Sequence, residues 1–407
     1  MSAKAAALAA LAATASFAQS SVGIVGVFDI GFKANSAPYT AAGTNASTNA
    51  VAQNGIATSA IKFVGTEDLG GGMKASFLAE INPNLVQSST SNQNYAFASD
   101  YSGTPFNGEQ FLSLSGGFGE FKLGVPNAGF FLAQNVSHPM GTAMASGYGA
   151  SGVNRLGSVA PGVVSGLNSG TSRIIRHERS LQYVTPTING FSAMITYAAQ
   201  NDNSTAANGN QDGYQDISLR YSNGPLNAAF SSATIKQGNG SVASLSSIPY
   251  AGAITATSAT TATGSPLVYT TTTTVASGKA TSLTGLANGD YTHSVLAANY
   301  NMGATTIYGG YTTSKSNGSA SAEDATSYNV AAKYTMGAID FLGNYMVLSS
   351  NITNNGKVYG GGLDYNLSKR TAVYYRFELA DANTDGKVAT AGGSVTNANM
   401  VGVRHAF

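Results

Sequence analysis

SAIKFVGTEDLGGGMKASFLAEI, from Ser59 to Ile81, consists of two alternating runs on either side of a glycine-rich break. Ile61 and Phe63 alternate with Lys62 and Val64; Met73, Ala75, Phe77, Ala79 and Ile81 alternate with Lys74, Ser76, Leu78 and Glu80. Side chains alternate across a strand, so each run has one apolar face and one mixed or charged face. Gly70, Gly71 and Gly72 can take the positive φ that a tight reversal needs. The stretch predicts a β-hairpin with one apolar face. A soluble sandwich could contain such a unit; its repetition along the chain is what decides the fold class.

The chain has 407 residues, of which only 10% are charged, against about a quarter in ordinary soluble domains. Gly, Tyr and Phe number 49, 21 and 17, and no apolar run reaches the length of a transmembrane helix. A closed barrel fits both facts, because apolar residues facing lipid alternate with polar residues facing a lumen. With 20 Lys+Arg against 19 Asp+Glu there is no basic excess, and nucleic acid is not an expected partner. There are no cysteines, which removes thiolate chemistry.

The opening MSAKAAALAALAATASFAQ has a basic Lys4, a short apolar core and a small-x-small site ending at Ala18, so residues 1–18 read as an export signal and 19–407 as the barrel. SVGIVGVFDIGF from Ser21 is the first strand, with Val22, Ile24, Phe28, Ile30 and Phe32 on one face and Asp29 and Lys33 on the other. Further hairpins turn at Gly116-Gly117, at Pro186 to Gly190 and at Asn223-Gly224-Pro225, and NMVGVRHAF supplies the last strand. Two segments break the rhythm. Residues 126–175 carry Arg155 and Arg173 with no acidic residue, and 238–290 form a Thr/Ser/Ala-rich tract that reads as a long surface loop. Short turns alternate with long unequal loops, the pattern of an outer-membrane barrel. The expected fold is all-β: a transmembrane antiparallel barrel of about sixteen strands, with its first and last strands paired so that no edge is open to lipid. Tyrosines 183, 197, 221, 300, 311, 334, 345, 365 and 375 share the parity of the apolar face and read as an aromatic girdle.

Several stretches resemble the Gram-negative general porins of the proteobacterial trimeric type. They are SSVGIVGVFDIG from Ser20, GTEDLGGGMKASF from Gly65, LSLSGGFGEFKLG from Leu112, LQYVTPTINGFS from Leu181, NLSKRTAVYYRF from Asn366 and GVRHAF ending at Phe407. The resemblance implies a homotrimer in the outer membrane of a Gram-negative bacterium, surrounded by lipid and lipopolysaccharide, that passes small hydrophilic solutes and ions and needs no cofactor. It also implies that 126–175 folds inward to narrow the pore and that Phe407 belongs to an assembly signal. The departures concern charge. Ala60, Val64 and Val125 stand where relatives often carry arginine, Lys62 replaces a glycine on the same face, and Arg176 matches a frequent family arginine.

The candidate pore-lining residues are Lys62, Lys74, Glu80, Arg155, Arg173, Arg176 and Arg220, with Lys62, Lys74 and Arg176 expected to face water at similar depth. Basic rings favour anions, with Glu80, Asp216 and the expected neutral pair of Arg376 with Glu378 standing against the positive lean. The expected preference is modest because the overall charge is only +1 and Ala60, Val64 and Val125 stand where relatives often carry arginine. The four histidines (His138, His177, His293, His405) lack metal-ligand spacing, and no catalytic constellation is present. The reading is a passive outer-membrane porin rather than an enzyme. The alternatives are a substrate-specific channel and a surface adhesin or structural barrel.

Overall fold

The computed structural model describes residues 21–36, 48–86, 106–141, 143–146, 175–199, 201–202, 210–211, 213–236, 255–259, 270–274, 290–316, 324–350, 356–381 and 395–407. Its strands in chain order are β1 (Ser21–Ser36), β2 (Thr48–Gln53), β3 (Ala60–Gly70), β4 (Met73–Ile81), β5 (Gln110–Gly116), β6 (Gly119–Val125), β7 (Ser180–Val184), β8 (Phe191–Ala198), β9 (Asn201–Asp202), β10 (Asn210–Gln211) and β11 (Gly213–Asn223). There follow β12 (Leu226–Lys236), β13 (Thr255–Ala259), β14 (Thr270–Thr274), β15 (Tyr291–Met302), β16 (Thr305–Ser316), β17 (Ala325–Met336), β18 (Ile339–Ser350), β19 (Gly356–Asn366), β20 (Thr371–Asp381) and β21 (Val395–Ala406). A short helix, α1 (Gly129–Gln134), and a 3-10 turn (Asn135–Ser137) follow β6.

Seventeen of these strands form one antiparallel sheet. One edge of β1 pairs with β21 from Val27↔Ala406 to Ser36↔Asn397, which closes the sheet into a barrel. Its other edge pairs with β3 over Ser21–Val27 and with β2 over Ile30–Asn35. Because β2 and β3 share that edge, the 17 strands make 16 wall positions, as expected. Strands of 11 or 12 residues such as β11, β12, β15 and β17 suit a tilted crossing of a bilayer. The seam ends on Phe407, whose N–H donates to Gly26 O at 3.0 Å while Gly26 N–H donates to Phe407 O at 2.9 Å.

Parity sets the faces. Val22, Ile24 and Phe32 are exposed on the outside of β1, whereas Asp29 on the opposite face is wholly buried. The tyrosines of the girdle fall outward, and β7–β20 carry them all; among the described residues, the outward face of β1–β6 has phenylalanines instead. The short turns sit at one end of the barrel, where Gly70, Gly71 and Gly72 adopt φ of 79, 61 and 80°. The Thr270–Thr274 stretch, expected as loop, pairs antiparallel with Thr255–Ala259. The export segment 1–18 lies outside the described residues.

Candidate functional site

Irregular backbone inside a barrel must find hydrogen-bond partners other than a ladder. After β6 the chain turns into the lumen, and its successive partners are inward-facing wall side chains. Asn127 forms an isolated bridge with Arg176, and Ala128 N–H donates to Ile175 O at 2.7 Å. At the start of α1, Phe130 N–H donates to Asp216 Oδ2 at 2.8 Å. Asp216 is 1% exposed and also accepts from the hydroxyls of Ser231 (2.6 Å), Ser218 (3.2 Å) and Tyr214 (3.3 Å). Four donors compensate a carboxylate that burial would otherwise penalise. A Cβ on Gly129 would come 2.1 Å from Ser218 Oγ, so the helix can approach the wall only with glycine there.

Farther along, Asn299 Nδ2 donates to Val136 O at 3.0 Å and Asn329 Nδ2 to Ser137 O at 2.7 Å. Asn344 Nδ2 donates to Ala145 O and Ser146 O, both at 3.2 Å, and Ala145 N–H donates to Glu378 Oε2 at 3.0 Å. A Cβ on Gly360 would lie 2.0 Å from Ala145 O, so the wall is notched where the loop leans on it. The segment from Asn127 to Ser146 thus passes along the inner wall from β11 to β20. His138 in this loop is 3% exposed, and neither ring nitrogen has a hydrogen-bond partner among the described residues. Burial lowers its pKa to about 4.

A second, shorter inward segment was not expected. Residues 54–59 separate β2 from β3, and Asn54 takes a φ of 67°. Ile56 and Ala57 N–H donate to Asp29 Oδ2 at 2.6 and 2.7 Å, and Tyr374 OH donates to Asp29 Oδ1 at 2.5 Å. Ser59 Oγ accepts from Asp29 N–H at 3.0 Å. Met144 of the long loop packs into the same apolar cluster as Tyr374 and Met400.

The expected charged residues are not at one depth. Lys62 faces Glu80 across β3–β4 and pairs with it at 3.0 Å. Lys74 lies on the same hairpin beside the short turn, about 20 Å lower at six strand residues from Glu80; it is exposed and makes no ion pair among the described residues. Arg176 Nη1 donates to Asn127 Oδ1 at 3.3 Å, at the root of the loop. Arg220 is exposed toward the short-turn end and donates from Nε to Asn227 Oδ1 at 3.2 Å. Arg155 and Arg173 lie outside the described residues. The expected pairing of Arg376 with Glu378 is corrected: Arg376 forms a bidentate pair with Asp364 at 2.6 and 2.9 Å, and Glu378 is given to the loop. Residues two apart on one strand face share a direction, but the neighbouring strand offered Arg376 a carboxylate at better geometry.

Sequence reasoning missed the wall residues that hold the loop. Asn299, Asn329 and Asn344 carried a usable signal: asparagine is depleted in strands, and three at lumen parity imply partners inside. It also missed Lys333 and Arg404, inward by parity and near the short-turn end.

A sequence profile of the Gram-negative porins matches residues 5–386, and the chain belongs to that family. Membership places it in the outer membrane, with the short turns on the periplasmic side. Outer membrane porin protein 32 of Delftia acidovorans is 29% identical over 235 residues, a match that covers 55% of this chain and 57% of that protein, little more than half of each. The anion-selective porin from Comamonas acidovorans superposes with a TM-score of 0.66 at 22% identity, covering 96% of this chain and 100% of that one. Outer-membrane expressed OmpT of Vibrio cholerae gives 0.58 at 14% identity over 95% and 98%.

Proposed function

We propose that this chain forms a passive, water-filled pore for small hydrophilic solutes and ions, narrowed by the segment that follows β6, with a modest preference for anions. One observation carries the charge reading: most inward carboxylates among the described residues are committed and several inward cations are not. Asp29 and Asp216 are buried under irregular backbone, Glu378 accepts from the loop, and Glu80, Asp364 and Glu120 sit in ion pairs. Asp340 accepts from Thr335 and Asn366. Lys74, Arg220, Lys333 and Arg404 have no carboxylate partner among the described residues. The water-facing wall is therefore more positive than the formal charge of +1 implies, and a low-dielectric wall focuses its field on permeating ions. Arg155 and Arg173 would add to it. The anion selectivity named for the Comamonas acidovorans structure is in keeping with this reading.

The test is a reversal potential across a planar bilayer in a KCl gradient. It should have the sign of anion preference and fall steeply as salt rises; cation preference at low salt would overturn the reading. Saturable current with one solute would favour a substrate-specific channel, and absence of conductance would favour an adhesin or structural barrel.

Assembly belongs to the same proposal. The tyrosine-free sector β1–β6 suits protein contact better than a lipid boundary, and it is the face by which three copies would associate. On the outside of β12–β18, Ser232, Ser294, Thr313, Thr326 and Ser349 are cross-strand neighbours in a row of hydroxyls. Lys236 and Lys315 lie beyond that row, a surface suited to the phosphates of lipopolysaccharide. Residues 1–18 would be the export signal. Phe407, packed edge-on against Phe28 at 5.2 Å, would be read during insertion.

A further inference from the structure

The lumen of a barrel of this kind is lined largely by polar groups, and a partly uncovered apolar hollow beside α1 departs from that. A cavity of about 130 Å³ lies between α1 and strands β8, β11 and β12. Leu132, Ala133, Met194 and Ala229 supply apolar walls, and Arg220 and Ser192 stand at its edge. Register fixes its position. Ser192, Arg220 and Ala229 form one cross-strand row, and the next row, Met194, Ser218 and Ser231, lies directly below the seat of the helix on Asp216. The cavity therefore lies on the periplasmic side of α1. Leu132, on the water-facing side of that helix, keeps 37% of its surface exposed, an apolar group left uncovered inside an aqueous channel. Two features coincide here: uncovered apolar surface, and a guanidinium whose Nε is engaged by Asn227. Its two terminal nitrogens keep the geometry for a bidentate grip on a carboxylate.

We propose that this cavity is a resting site for small monocarboxylates with an apolar tail, the carboxylate on Arg220 and the tail against Leu132, Met194 and Ala229. The inference rests on the channel reading and adds a solute class to it. The space equals the liquid volume of about four waters, enough for the tail of a five- or six-carbon acid. Each methylene that leaves water strengthens retention roughly fourfold, so tail length separates this site from attraction to a positive wall, which would treat all monocarboxylates alike. A neutral or cationic molecule with the same tail lacks the anchor.

The experiment compares acetate, hexanoate and hexylamine on single channels of the full chain in KCl. Hexanoate should reduce or flicker the open-channel current at a concentration at least tenfold lower than acetate, and hexylamine should have no such effect. Met194→Ser and, separately, Leu132→Ser should each bring hexanoate to the level of acetate. Arg220→Gln should abolish the hexanoate effect. Equal action of hexanoate and acetate on a conducting wild-type pore would overturn the inference and leave the channel reading standing. Absence of KCl conductance would sink the channel reading and this inference with it. Unchanged hexanoate block in both apolar variants would also overturn it.

Discussion

Two segments leave the barrel wall and turn inward, each seated on a buried aspartate, and the contrast between them explains how this lumen is built. Residues 54–59 break one strand and rejoin the wall at once. Asp29, Tyr374 and Ser59 hold them, and the backbone donors lie only 27 and 28 residues from the aspartate. The segment after β6 starts on Asp216, 86 residues from its first helical donor, and then depends on Asn299, Asn329, Asn344 and Glu378 in turn. The longer the irregular backbone, the more of the wall's inward polar side chains are spent on it instead of on solutes. The short segment costs the pore one carboxylate; the long one takes Asp216 and, on the far wall, three amides and one further acid.

Asp216→Ala should have the largest effect. It removes the acceptor of Phe130 N–H and leaves that group unsatisfied, at about 1–3 kcal/mol for the orphan alone. The loop should lose its first fixed point, with higher and noisier conductance and weaker ion selectivity. Asp29→Ala should lower thermal stability with little change in conductance, because the segment it holds is pinned to the wall at both ends. Equal conductance changes in the two variants would break the comparison.

Gly129→Ala comes next. Its Cβ would enter the space of Ser218 Oγ, and overpacking of this kind costs about 1–3 kcal/mol. The helix should shift off the wall, reproducing the Asp216→Ala conductance in weaker form while the melting temperature of the barrel stays near wild type. A wild-type single-channel record would show that the close approach does not set the loop position.

A pH dependence should follow from His138 in the long loop. Burial holds the docked histidine neutral down to about pH 4, whereas an undocked loop takes up the proton below the ordinary value of about 6.5. The undocked state therefore binds more protons in that window, and docking weakens as pH falls from 6.5 toward 4. The slope is about 1.4 kcal/mol per unit. Above pH 6.5 the dependence vanishes. Loop-opening noise should rise between pH 6 and 4.5, and His138→Phe should flatten the profile.

The smallest effect expected is that of Tyr374→Phe, which removes one hydroxyl from Asp29 and keeps the ring against Met144 and Met400. A loss of about 1 kcal/mol in stability is expected, measurable by thermal melting and invisible in conductance. A large conductance change would mean that the two inward segments are coupled through that ring.

The wall was legible because its rule is local. Alternation placed Asp29, Lys62 and Glu80 inside and Val22 and Phe32 outside, and glycine-rich breaks placed the turns. The interior was less legible because its contacts are long-range. Nothing near Asp216 in sequence says that a helix 86 residues earlier will start on it, so it read as a free pore charge. Parity also gives a face and not a height. Lys62 and Lys74 share one hairpin face and stand at opposite ends of it, which counting residues from Gly71 would have revealed. The interruption at 54–59 follows a run rich in Ala, Asn, Ser and Thr that has the composition of an ordinary loop, although Asn54 at positive φ is a residue type tolerant of that conformation.

The route of the long loop also has a meaning in time. Apart from its local contacts at Asn127 and Ala128, its hydrogen-bond anchors among the described residues belong to strands that come later in the chain. They are met in chain order: α1 against β8, β11, β12 and β15, the 3-10 turn against β15–β17, and Ala145 against β18–β20. Among the described residues, its hydrogen bond farthest along the chain is to Glu378 on β20, one strand before the seam that joins β21 to β1. The loop's described anchors are therefore complete only when β15–β20 are in place, so the seating of the loop and the completion of the second half of the wall depend on the same contacts. Such non-local pairings form slowly.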